Sequence, residues 1–142
     1  MNAFFFGPAS NQIFACHHAP AGSAAGAVVI CPPWGPEYQY AHRTLRSLAK
    51  RLSDRGFHVL RFDYTGTGDS AGETTAADLG RWQDDVDEAV ERIRSLSGLP
   101  HADLIGLRLG AVAALRAAER RDDVRSLLLW DPVSDGSAWL QE

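Results

Sequence analysis

Short apolar runs alternate with longer amphipathic stretches along this chain, and that alternation restricts the fold more than any other feature. Residues 27–31, 57–63, 102–106 and 124–130 have the length and composition of strands buried in a sheet. Between them, 40–55 carries Leu45, Leu48, Ala49 and Leu52 at helical spacing and is stopped by Gly56. A second helix puts Leu79, Trp82, Val86, Ala89, Val90, Ile93 and Leu96 on one stripe, ending at Gly98 and Pro100. Thr75 reads as its cap, with Asp78 in the capping-box position three residues on. A third helix is expected over 109–121. Residues 3–6 and 12–17 flank the turn-forming Gly7-Pro8-Ala9-Ser10-Asn11, which predicts an antiparallel hairpin. The expected fold class is α/β: one domain over 1–142, a mostly parallel sheet with helices on both faces, and an N-terminal antiparallel hairpin.

Composition excludes several function classes. The chain has 142 residues, 45% hydrophobic and 23% charged, ordinary for a soluble globular protein. A net charge of −4 without a basic stripe argues against a nucleic-acid partner. No stretch approaches the roughly 20 apolar residues of a membrane span, and the N-terminus lacks the basic segment of a signal peptide, so a cytoplasmic location is expected. Cys16 and Cys31 form neither a disulfide scaffold nor a metal pattern and read as two buried thiols. Neither metal nor cofactor is expected.

In sheets of this kind ligands sit beyond the carboxyl ends of the strands. Four segments there carry unusual chemistry. Gly106-Leu107-Arg108-Leu109-Gly110 lies between a strand and a helix and has the frame of a nucleophile elbow, Gly-x-Ser-x-Gly, with arginine at its centre. Asp63-Tyr64-Thr65-Gly66-Thr67-Gly68-Asp69-Ser70 is a glycine-rich turn after a strand. Cys31-Pro32-Pro33-Trp34-Gly35-Pro36-Glu37 and Leu129-Trp130-Asp131-Pro132-Val133 close two other strands.

In this order and spacing the four segments resemble the serine-aminopeptidase-like α/β-hydrolases, particularly the bacterial branch of exosortase-system-associated hydrolases, which shares a Gly-x-Arg-x-Gly elbow and a Trp-x-Pro segment. The resemblance covers nearly the whole chain. It implies hydrolysis of an ester, amide or thioester, and an oxyanion-type loop around Trp34 and Gly35 with Leu109 following the elbow. That family runs to about twice this length, with a cap, two further strands and a late triad histidine. The chain is therefore expected to be the N-terminal half of that fold, with 124–130 as an exposed apolar edge open to self-association.

Arg108 bears directly on activity. A guanidinium stays protonated, so it is neither nucleophile nor general base. At a helix N-terminus it makes a two-pronged carboxylate or phosphate site. Either an internal carboxylate fills that site or a small anionic or acyl ligand does. Asp131, the candidate acid on the neighbouring strand, is the first internal partner, Glu37 the second and Asp63 the third. Cys31 and Ser70 are the other candidate nucleophiles, against which stand burial for Cys31 and turn hydrogen bonding for Ser70. Asp63 is expected to tie down backbone N–H groups of its turn. His42, near the start of the helix after the oxyanion-type loop, is the histidine nearest the site. Tyr38 and Trp34 either line a pocket or pack. The acidic residues of 84–88 read as the solvated half of an amphipathic helix.

Three functional readings follow: a hydrolase homologue that does not work alone as a serine hydrolase, a pseudoenzyme module that binds an anion or docks on a partner, and a truncated product without function of its own. A dinucleotide-binding reading of the glycine-rich segment 66–72 is disfavoured, because the ribose-binding acid expected about 20 residues later at a strand end is absent.

Overall fold

The computed structural model describes residues 1–76 and 78–141. Ala77 and Glu142 lie outside them. The strands are β1 (Asn2–Phe6), β2 (Ile13–His18), β3 (Gly26–Cys31), β4 (Phe57–Phe62), β5 (Ala102–Leu107) and β6 (Val124–Trp130). The helices are α1 (Pro36–Ser53), α2 (Leu79–Ser97), α3 (Leu109–Glu119) and the short α4 (Gly136–Trp139).

All six strands join one sheet in the order β1-β2-β4-β3-β5-β6. The hairpin β1–β2 is antiparallel and joins β4 antiparallel, with Ala15 opposite Phe62. From β4 through β3 and β5 to β6 the sheet is parallel. Parallel neighbours need long crossovers, which α1, α2 and α3 provide. The expected fold class is the observed one.

Two cores cover the two faces. Ile13, Val29, Leu60, Phe62 and Leu104 face Trp82, Val86, Val90 and Ile93 of α2 and Ala113 and Ala117 of α3. On the other face, Val28, Ile30 and Val59 meet Leu45 and Ala49 of α1. Strand β3 is buried at every position, as a strand covered on both sides must be.

Local chemistry shifts several boundaries. Helix α1 begins at Pro36, four residues earlier than the apolar spacing predicted, because proline's fixed φ suits the first helical turn. Helix α2 is capped by Asp78 itself, whose carboxylate accepts from Arg81 N–H at 2.8 Å. Thr75 is not the cap; it lies in a single 3-10 turn, Thr74–Ala76. Leu96 is 38% exposed, since the last turn of α2 runs past the core. Helix α3 stops at Glu119 rather than 121, and Arg120 and Arg121 beyond it pair with Asp84, Asp87, Glu91 and Asp123. Cys16 is half-buried and Cys31 fully buried; both thiols are free. No helix among the described residues is long and apolar enough to cross a membrane.

Strand β6 forms one edge of the sheet. Its consecutive residues Leu128, Leu129 and Trp130 are exposed, so apolar surface is open on both faces of that edge.

Candidate functional site

The chain turns from β5 into α3 through a strained elbow. Arg108 has φ 54 and ψ −120, and Asp131 at the end of β6 has φ 46; these are the two non-glycine residues with positive φ among those described. Such geometry costs on the order of 1–3 kcal/mol per residue and persists where surrounding packing dictates it. The flanking glycines supply that packing. A Cβ on Gly106 would stand 2.5 Å from the Ala111 Cα, and one on Gly110 would stand 2.2 Å from the Pro32 carbonyl oxygen. Strand, elbow and helix therefore approach to distances that no side chain permits. The Arg108 N–H donates to the Trp130 carbonyl at 3.0 Å, which ties the elbow to β6.

The side chain of Arg108 is engaged. Its Nε donates to Glu37 Oε1 at 2.9 Å, with side-chain exposures of 19% and 30%. Its Nη1 reaches Asp131 Oδ2 at 3.4 Å, but that carboxylate is 70% exposed and well solvated. Trp139 Nε1 of α4 also donates to Glu37 Oε1, at 3.3 Å. Of these two carboxylates Glu37 is the closer and the more buried, ahead of Asp131, which sequence reasoning ranked first. Helix α1 starts early enough to place Glu37 in its first turn, beside the elbow.

Asp63 belongs to a separate cluster. Its carboxylate accepts from the Tyr38 hydroxyl and from Asp69 N–H at 3.0 Å. Ser70 Oγ accepts from Phe14 N–H at 2.9 Å and donates to the Asp63 carbonyl at 2.5 Å, so it fastens the turn to β2. Tyr38 meets His42 edge-on, with ring centroids 5.9 Å apart. Burial, then the hydrogen bond to Asp63, pushes the Tyr38 hydroxyl above its usual range. Burial likewise raises the Cys31 thiol far above the pKa of a reactive cysteine. Trp34 packs between Trp82 and Trp139, at centroid distances of 6.0 and 6.2 Å, and Gly35 caps α1.

Of the residues singled out in the sequence, Arg108, Glu37 and Asp131 meet at the elbow, with Trp139 joining them. Tyr38, His42, Asp63 and Ser70 gather around the glycine-rich turn instead. A shallow cleft of about 190 Å³ borders Arg108, lined by Asp131, Ser134, Asp135 and Trp139.

The acidic stretch of α2 requires a correction. Asp85 is fully buried rather than solvated. It accepts from Thr65 N–H at 2.7 Å, from the Thr65 hydroxyl at 2.9 Å and from Arg81 Nε at 3.0 Å. Burial raises its pKa, against these hydrogen bonds and the Arg81 charge. Helical spacing carried the signal: 85 lies three residues after Trp82 and four before Ala89, on the apolar stripe.

The sheet order, the two-faced helix packing and the glycine-framed elbow define an α/β-hydrolase. A family model for serine aminopeptidase, S33, matches residues 22–138, and the chain belongs to that family. Human protein ABHD12B is 34% identical over 104 residues, covering 73% of this chain and 28% of that protein. Among solved structures, an α/β serine hydrolase without a lid from Xanthomonas campestris superposes with a TM-score of 0.73 at 25% identity, over 90% of this chain and 59% of that one. The α/β-hydrolase GrgF from Penicillium sp. sh18 superposes with a TM-score of 0.81 at 20% identity, over 96% of this chain and 47% of that one. The chain therefore spans about half the length of these solved structures and about a quarter of the human relative.

Proposed function

We propose that this domain is a non-hydrolytic member of its family, related to the exosortase-associated branch, in which the elbow serves as a structural clamp rather than an acyl-transfer centre. The observation that carries this reading is the 2.9 Å contact of Arg108 Nε with Glu37, at the position where the family frame holds a nucleophile. Acyl transfer needs a nucleophile, an activating base and oxyanion donors. A protonated guanidinium supplies none of the first two. The other candidates are otherwise occupied: Cys31 is fully buried, and Ser70 bonds within its own turn.

An anion-binding elbow is the second reading. Glu37 already holds the guanidinium, and Asp131 and Asp135 line the adjoining cleft, so like charge opposes a further anion there. Partner docking through the β6 edge is compatible with the clamp, because Leu128, Leu129 and Trp130 are exposed. Hydrolysis of p-nitrophenyl butyrate tests the reading. The chain is expected to give no rate above buffer. A rate abolished by Cys31→Ala or Ser70→Ala would overturn the proposal and identify the nucleophile.

A further inference from the structure

A second site stands between α1 and the end of β2. Arg43, Arg46 and Lys50 follow one another at i, i+3 and i+7, so they share one stripe of α1. They line a cleft of about 530 Å³ with His18, Ala19 and Ser47. His18, which lines the cleft, accepts from Nε of Arg61 on β4 at 3.2 Å. Among the described residues the one carboxylate on the lining is Asp54, which is paired with Lys50 at 2.8 Å. Arg43 and Arg46 are exposed and make no hydrogen bond or ion pair among the described residues. A chain of net charge −4 thus concentrates cations in one concavity and leaves two guanidinium groups there without an acidic partner.

His18 adds to the case. It is 6% exposed, and burial, followed by the neighbouring Arg61 charge, lowers its pKa to about 4. The imidazole is therefore neutral near neutral pH and accepts the Arg61 hydrogen bond. Two unpartnered guanidinium forks on one helical stripe favour multidentate oxyanions such as phosphate over simple monovalent ions.

We propose that this cleft binds a phosphate-bearing ligand, with Arg43 and Arg46 as the binding residues. The shared chemistry is a phosphate group, carried either by a soluble molecule or by a lipid headgroup.

The test is calorimetric titration of the intact chain with inorganic pyrophosphate, paired with co-sedimentation on phosphatidylcholine vesicles with and without phosphatidylserine. The Arg43→Ala/Arg46→Ala variant should weaken binding by at least about tenfold, whereas Arg51→Ala/Arg55→Ala, with the same change in net charge at the end of α1 and just beyond it, should change it by less than about threefold. Thermal unfolding of each variant verifies that the fold is retained. Pyrophosphate binding identifies a soluble phosphate as sufficient; binding to phosphatidylserine vesicles alone, lost in the first variant, assigns the headgroup. Equal losses in both variants would reduce the effect to net charge and overturn the site. So would the absence of binding to either probe.

Discussion

Replacing Asp85 by alanine should destabilise this domain far more than replacing its neighbour Asp84. Asp85 accepts two hydrogen bonds from Thr65, one from the backbone N–H and one from the hydroxyl, and both groups are buried. Arg81 adds a contact at 2.8 Å from a side chain that is 31% exposed. Removing the carboxylate leaves the Thr65 N–H without its acceptor, which costs about 1–3 kcal/mol, and removes hydrogen bonds to a charged group. Relief of a desolvated carboxylate, visible in its raised pKa, offsets part of this. The net loss should be about 3 kcal/mol, corresponding to a fall in Tm of roughly 6–12 °C for a domain of this size. Asp84 is 55% exposed and pairs with Arg120 at the surface, so Asp84→Ala should stay within about 0.5 kcal/mol. Urea unfolding with unchanged m values measures both. A cost below about 1 kcal/mol for Asp85→Ala would refute the claim that this carboxylate holds the glycine-rich turn against α2.

Other perturbations probe different parts of the molecule. Gly110→Ala should destabilise by about 1–3 kcal/mol or prevent folding, because the new Cβ would press on the Pro32 and Cys31 carbonyl oxygens at 2.2 and 2.4 Å; soluble yield and Tm measure it. His17, His18 and His58 all have lowered pKa values, mainly through burial, so the unfolded chain binds more protons than the folded one. Their contribution is present above about 6.5 and is lost as pH falls, and the stability curve should drop toward about 4, the value for His18. His18→Gln should flatten that decline in acid urea titrations. If the β6 edge pairs chains, sedimentation at rising concentration should show association that Leu128→Lys suppresses; a clean monomer throughout would exclude it.

Sequence pattern revealed the fold where the pattern is local. The continuous apolar run of β3, the α2 stripe and the Gly-Pro turn of the hairpin each describe their own element, and all are present. The elbow was legible because its glycine frame is a local pattern, although only Gly106 answers to a neighbour in sequence, Ala111, while Gly110 answers to the distant Cys31 and Pro32 carbonyls. What failed was long-range pairing. Glu37 lies 71 residues from Arg108, and Thr65 lies 20 from Asp85, so no periodicity names either partner. Helix α1 added to the error at the elbow, since starting it at 40 left Glu37 in a loop, whereas Pro36 at the first turn fixes it on the helix. Asp85 was misread because an acidic cluster suggests solvent, although its spacing placed it on the buried stripe.

The clamp at the elbow is tested most directly by a double-mutant cycle on Arg108→Ala and Glu37→Gln, read by urea unfolding. A partly buried ion pair with a 2.9 Å hydrogen bond should give a coupling energy of about 1–2 kcal/mol. Coupling near zero would mean that Glu37 does not hold Arg108 in solution, contradicting the structural role assigned to it.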